Sequence, residues 1–185
     1  MSISFQDMEG PVTVTSDIHS DPEALEFIIS KGVEAGSSLL LIAGDLVPTG
    51  PAFASALSGA PFPYVCVRGN CDSVWTFRDL FLAPPPQFTV REIFGRNAAM
   101  THGHLFDGYP VPLSRGDIMI TGHTHVPVLT VDENGVINLN PGSLSRPRGP
   151  EGPTYAMIYP DRIELLSVGG RCLKRLDLGN CPVIA

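Results

Sequence analysis

The sequence is short of positive charge, of paired cysteines and of long apolar runs, and each shortage removes a class of protein. Twelve Lys and Arg stand against 19 Asp and Glu, for a formal net charge of -7. Gripping long nucleic acid takes clustered Lys and Arg that displace counterions, so no long nucleic-acid partner is expected. A small anionic ligand is still compatible, because a bound dication reverses the local field. Cys66, Cys71, Cys172 and Cys181 show neither CxxC pairing nor disulfide density; free thiols are expected, with Cys66 buried. The longest apolar run, Leu39 to Ala43, has strand length, far below the roughly 18 residues of a membrane span. Met1 to Gly10 lack the basic start and apolar stretch of a signal peptide. The expectation is a cytoplasmic protein with no membrane partner.

What is present is a globular balance, 43% hydrophobic and 17% charged over 185 residues, which fits one domain over residues 1–185. Val12 to Thr15 reads as a short strand, Leu39 to Ala43 as a buried strand and Tyr64 to Val67 as a third strand. Between them the pattern predicts a helix over Pro22 to Ala35, with Asp21 as N-cap, Pro22 in the first turn and Gly36 as stop. A second helix is predicted over Pro51 to Ser58. Strand, polar turn and helix in repetition build a parallel sheet, and ligands bind beyond the carboxyl ends of such strands.

The second half reads as mostly antiparallel. Phe88 to Ile93 and Ala98 to Thr101 form a hairpin around Gly95-Arg96-Asn97. Asp117 to Thr121 is a strand, and Val126 to Val131 pairs with Val136 to Leu139 around Asn134-Gly135. Thr154 to Tyr159, Ile163 to Val168 and Cys172 to Leu176 complete the set. The whole is an α+β or α/β mixture of two face-to-face sheets with helices outside.

Five short polar elements follow these strands: Asp17-x-His19, Gly44-Asp45, Gly69-Asn70, Thr101-His102-Gly103-His104 and Gly122-His123-Thr124-His125. All five histidines of the chain lie within them. Singly, each has an ordinary explanation: a helix cap for Asp17, a turn for Gly-Asp or Gly-Asn, an exposed strand end for the histidines. Jointly, the mixture of imidazole and carboxylate suits borderline divalent ions. Two such ions bridged by Asp45 would sit ~3.5–4 Å apart and clamp both oxygens of an in-line displacement, with hydroxide between them as nucleophile. Neutral His and Asn ligands leave such a pair cationic, and the glycines let backbone approach closely. A structural zinc site, usually four tetrahedral ligands, fits a seven-residue set poorly.

The ordered strings SDIHS, GD, RGNCDS, THGHLF, GHTH and NPGSLS resemble those of the calcineurin-like metallophosphoesterases, and in detail the small bacterial YfcE-type phosphodiesterases, over Val12 to about Asp177. That resemblance implies a four-layered αββα sandwich and a metal-dependent phosphodiesterase acting on a small diester substrate. It implies two divalent ions, manganese in first place and zinc, iron, nickel or cobalt otherwise. One ion would take Asp17, His19, Asp45 and His125, the other Asp45, Asn70, His102 and His123, leaving His104 outside. Asp45, Asn70, His102, Cys71 and Asp72 are then the catalytic candidates. Cys71 departs from the many relatives with His after the Asn, and either supplies a weak acid or fills space. Asp72 either orients a ligand or caps a turn, Asn140 to Ser143 are candidates for supporting hydrogen bonds, and Arg146 and Arg148 are candidates for phosphate contact or solvated loop residues. The same family includes a retromer subunit that serves as an interaction platform, so a non-catalytic scaffold is the alternative. Several exposed strand edges fit a homo-oligomer, a dimer or tetramer.

Overall fold

The structure is a computed structural model that describes residues 8–106 and 108–179. Strands β1 (Val12–Thr15), β2 (Leu39–Ile42) and β3 (Tyr64–Cys66) alternate with helices α1 (Pro22–Ala35), α2 (Gly50–Ser58) and α3 (Val74–Asp79). Eight further strands follow: β4 (Phe88–Ile93), β5 (Arg96–Thr101), β6 (Ile118–Ile120), β7 (Val128–Val131), β8 (Ile137–Asn140), β9 (Thr154–Ile158), β10 (Arg162–Ser167) and β11 (Cys172–Asp177). They form a six-stranded sheet, β11-β10-β9-β1-β2-β3, and a five-stranded sheet, β4-β5-β6-β8-β7.

Local chemistry sets α1. Asp21 Oδ1 accepts from the Glu23 and Ala24 amides at 3.0 and 3.1 Å, and Gly36 closes the helix in the left-handed conformation at φ 65°. Its buried face is Ala24, Leu25, Ile28 and Gly32, and the first three join Leu40 and Ile42 of β2, Phe53 and Leu57 of α2 and Phe77 of α3 in one cluster. Because strand side chains alternate, Leu39 and Leu41 face the other way. They meet Val12, Val14, Met100, Ile118, Ile120 and Leu139 between the sheets. β2 is therefore apolar on both faces, as a doubly covered strand is, whereas β1 sets Thr13 and Thr15 opposite Val12 and Val14, with the Thr13 hydroxyl bonded to Ser37 Oγ at 2.7 Å.

The outer face of the second sheet is covered differently. Ala99, Met119 and Val136 form a small cluster there, with Val111 and Leu113 packed on it. These two come from the non-helical segment between β5 and β6, so a loop fills the fourth layer of the sandwich at this place.

Several expectations need correction. β5 begins at Arg96, and the hairpin turn is Phe94-Gly95, both at positive φ (50° and 74°). That is the signature of a two-residue turn matched to strand twist. Most pairings of the second half are antiparallel, as expected, but β5–β6 and β6–β8 are parallel. The segments after β5 and β6 are long enough to carry the chain back, which short-range signals do not reveal. β9 to β11 leave that half and join the first sheet, β9 antiparallel to β1. The short helix α3 was not anticipated; no side chain caps it. Cys66 is buried and, with Cys71 and Cys172, is a free thiol, while Cys181 lies outside the described residues. Among the described residues no helix is long and apolar enough to cross a membrane.

Candidate metal centre

The loops after β1 and β2 keep the ladder register of their parallel strands. The Asp17 amide donates to the Gly44 carbonyl at 3.0 Å and the His19 amide to the Asp45 carbonyl at 2.9 Å. This backbone pairing fixes Asp17, His19 and Asp45 side by side. It also costs conformational strain. Asp17, His19, Ser20, Asp45, Val47, His123 and His125 all adopt positive φ, between 47° and 68°, a region that non-glycine residues rarely occupy. Only Phe81 and Phe94 share that property elsewhere among the described residues. Concentrated strain of this kind persists where surrounding structure over-determines it, and it gathers at functional sites.

Glycine supplies the close approach. A Cβ at Gly69 would collide with Asp45 Oδ1, one at Gly122 with Ser16 Oγ, and one at Gly44 would come within 2.5 Å of His102 Nδ1. The three Gly-ligand dipeptides are therefore packing requirements as well as turns.

Carboxylate and imidazole atoms then converge. Asp17 is fully buried. Its Oδ2 accepts from the His123 amide at 3.0 Å and lies 2.6 Å from Ser16 Oγ, whereas its Oδ1 has no hydrogen-bond partner. That orphan oxygen faces His125 Nε2 at 3.2 Å, His19 Nε2 at 3.7 Å and His102 Nε2 at 3.9 Å. His125 Nδ1 donates to the Arg146 carbonyl at 2.7 Å and His102 Nδ1 to the Ala43 carbonyl at 2.8 Å. With those protons on Nδ1, each ring when neutral presents an Nε2 lone pair to the centre. His19 Nε2 and His125 Nε2 also oppose each other at 3.3 Å.

Asp45 stands between two groups of donors. Its Oδ1 accepts from the Cys71 amide at 2.8 Å, and its Oδ2 lies 3.4 Å from His102 Nε2 and 3.7 Å from His19 Nε2. Burial opposes its ionisation, but the His102 imidazole and the Cys71 amide hold the carboxyl well below its usual range. Asn70 Oδ1 lies 3.1 Å from His102 Nε2 and 3.0 Å from His123 Nδ1. One set is thus Asp17, His19, His125 and Asp45; the other is Asp45, Asn70, His102 and His123. The carboxylate and ring atoms of Asp17, His19 and His125, and those of Asp17, Asp45 and His102, lie within 4.8 Å of one another. Carboxylate oxygens and imidazole nitrogens gathered in a buried site, one oxygen of Asp17 without a hydrogen-bond partner, are settled by a cation among them, so this donor set fits a metal ion.

The remaining candidates separate. Asp72 neither orients a histidine nor caps the next helix: its two oxygens accept from the Val47 and Gly69 amides, both at 2.8 Å, tying the β2 and β3 loops together. Burial raises its pKa against those two bonds. Cys71 is exposed, and burial of its sulfur together with the Asp45 charge pushes the thiol up to about 11. Arg146 and Arg148 line the groove, a cavity of about 390 Å³, with His19, Asp45, Asn70 and Cys71. His104 stacks its ring 5.3 Å from that of His102 and stands outside both sets.

The supporting shell was only partly foreseen. Asn140 Nδ2 donates to the Gly122 carbonyl at 2.8 Å and Ser143 Oγ to the Asp17 carbonyl at 2.7 Å, within the expected Asn140 to Ser143 stretch. Ser16, Ser145 and the Ala43 and Arg146 carbonyls were missed. Ser145 Oγ also donates to the Asp17 carbonyl, at 3.0 Å. Flanking serines in SDIHS and NPGSLS carried the only signal, and a carbonyl acceptor has none.

Comparison with known proteins follows the same lines. The sequence profile of the calcineurin-like phosphoesterase superfamily domain matches residues 11–162. The chain is 30% identical to the phosphodiesterase YfcE of Escherichia coli over 174 residues, 85% of this chain and 92% of that protein. The solved structure of E. coli YfcE, described as a phosphoesterase, superposes with a TM-score of 0.82 at 25% identity, covering 91% of this chain and all of that one. Zinc-complexed Vps29 from Entamoeba histolytica superposes at 0.65 and 22% identity, over 91% and 99% of the two chains, a likeness of fold.

Proposed function

The chain belongs to the calcineurin-like phosphoesterase superfamily, and from that premise we propose that it is a metal-dependent phosphoric diester hydrolase, one domain across residues 1–185, acting on a small diester. The observation that carries the proposal is the orphan Asp17 Oδ1, buried and ringed by three imidazole Nε2 atoms. Two divalent ions, manganese by preference, would be held by Asp17, His19, Asp45 and His125 and by Asp45, Asn70, His102 and His123. When bound, they supply Lewis acidity and offset the charge of the phosphate.

The chain's own residues do the rest. The Arg146 and Ala43 carbonyls hold His125 and His102 in the tautomer whose Nε2 is free to bind. Arg146 and Arg148, in the groove wall, contact the phosphate oxygens and keep the diester aligned for in-line displacement by water. Cys71 lies where it can reach a departing oxygen, but a thiol held protonated to about pH 11 is a weak proton donor at neutral pH. Activated esters such as aryl diesters are therefore turned over faster than alkyl ones, and Cys71→His raises the rate on the latter.

A scaffold role, raised by the likeness to Vps29, gives no reason for seven polar side chains to converge. Release of 4-nitrophenol from bis(4-nitrophenyl) phosphate with added Mn separates the two. The proposal requires hydrolysis that chelator and Asp45→Asn each abolish; hydrolysis indifferent to both would sink it.

A further inference from the structure

Beside the metal groove lies a second cavity of quite different character. It occupies about 230 Å³ over the outer face of the second sheet and is lined by Phe106, Tyr109, Met119, Thr121, His123 and Asn138, among others. Among the described residues that line it there is no Lys, Arg, Asp or Glu, whereas Arg146, Arg148 and Asp45 line the groove. His123 is common to both, so the cavity opens beside the donor set through one shared side chain. Its roof is braced. Tyr109 Oη donates to Asp132 Oδ2 at 2.5 Å and lies 3.4 Å from Asn138 Oδ1, and the Phe106 ring meets Phe88 edge-on at 5.9 Å.

We infer that this cavity is the subsite for the ester substituent that stays on phosphorus, and that it takes a planar aromatic group; the inference rests on the phosphodiesterase function proposed above. Size points to part of a ligand: whole small-molecule sites run to roughly 300–1,000 Å³. Charge places the phosphate itself elsewhere, because it would seek the arginines across His123. Two aromatic rings and a thioether make walls suited to a flat ring, and Asn138 with Thr121 offers polar edges for a heteroaromatic one such as a nucleobase. A substituent enclosed here holds the phosphate in place while the other ester oxygen departs through the open groove, so its binding energy acts on orientation. A monoester lacks that second group, which gives the site a physical basis for preferring diesters.

The test holds the leaving group constant. Phenyl 4-nitrophenyl phosphate and methyl 4-nitrophenyl phosphate both release 4-nitrophenol and differ only in the retained group. The Mn-loaded wild type is expected to show kcat/KM higher by about tenfold or more for the phenyl ester. Asn138→Trp, which fills the cavity, and Tyr109→Ala, which unroofs it, should each bring that ratio towards one. A wild-type ratio near one, or a ratio unchanged in both variants, overturns the subsite. A readout free of turnover accompanies it: diphenyl phosphate added to the metal-free protein should shift the amide resonances of Phe106, Met119 and Asn138, and shifts confined to the Arg146 and Arg148 loop would overturn it too. If the wild type hydrolyses neither ester, the phosphodiesterase proposal fails by itself, and the resonance shifts still decide whether the cavity binds an aromatic group.

Discussion

The two halves of the donor set are built alike and shielded differently. Asp17, His19 and His125 are buried at 0%, 9% and 5% exposure, and Asp17 brings a carboxylate with no hydrogen-bonding partner on one oxygen. Across Asp45, His102 is buried, but Asn70 and His123 are exposed and contribute neutral atoms. Low dielectric and a second carboxylate strengthen attraction for a cation, while exposure and neutrality weaken it. The enclosed half should therefore hold its ion tightly, and the open half should exchange its ion and meet the substrate. Enclosure also has a consequence in the metal-free protein, where Asp17 Oδ1 is left without a hydrogen-bond partner.

The largest effect should come where the halves join. Asp45→Asn is expected to lower phosphodiester turnover by about a thousandfold and to reduce the bound metal, as read by nitrophenol release and by metal analysis after dialysis. Full retention of two ions would break the idea of a shared carboxylate. The halves should then part company. In equilibrium dialysis against Mn, His125→Ala should lose the tight ion, while His123→Ala should keep it and lose only the weak one. Identical losses would erase the distinction drawn above.

The enclosed half makes a prediction of opposite signs. Asp17→Asn should raise the thermal midpoint of the metal-free protein, because an amide nitrogen can donate to the inward lone pair of His125 where Oδ1 now has no hydrogen-bond partner. Leaving such a buried group unsatisfied costs about 1–3 kcal/mol. With Mn present the same variant should melt below wild type, since it forfeits ion binding that stabilises the native state. A drop in both conditions would show that Asp17 Oδ1 is not strained without metal. A smaller change is expected from Ser143→Ala, which frees the Asp17 carbonyl of one of its two hydroxyl donors. Supporting partners of this kind are worth about 10- to 100-fold in metal affinity.

The mildest test concerns the open half. With the Cys71 thiol pushed up to about 11, only about one molecule in a thousand carries the thiolate at pH 8. With Cys172 and Cys181 both replaced by Ser, alkylation of metal-free Cys71 should be slow at pH 8 and accelerate as pH climbs towards 11. Fast labelling at pH 8 would mean that Asp45 does not bear on the sulfur.

Elements with a chemical start and stop were readable. Asp21, Pro22 and Gly36 fix α1 at Pro22–Ala35, and the apolar runs of β1 and β2 stand within a residue of their expected bounds. Six-residue α3 had no such marks, and its first turn depends on the loop that Asp72 ties down. The parallel order β5-β6-β8 was invisible because pairing between distant strands leaves no local trace. Among site residues, those offering a side chain with unusual chemistry were readable as candidates: Asp17, His19, Asp45, Asn70, His102, His123 and His125. Asp72 misled, since a carboxylate beside the Asn looks the same whether it faces a histidine or two amides.

By itself the sequence determined which side chains were available and that each follows a strand, because alternation, caps and glycine punctuation are local and survive in one dimension. Only the tertiary structure decided that Asp17 Oδ1 is left alone among three imidazoles, that two carbonyls set the tautomers of His102 and His125, and that an aromatic-walled cavity adjoins a charged groove at His123. Those facts arise from distances between residues far apart in the chain, and burial, which gives them their energy, exists only once the sheets have packed.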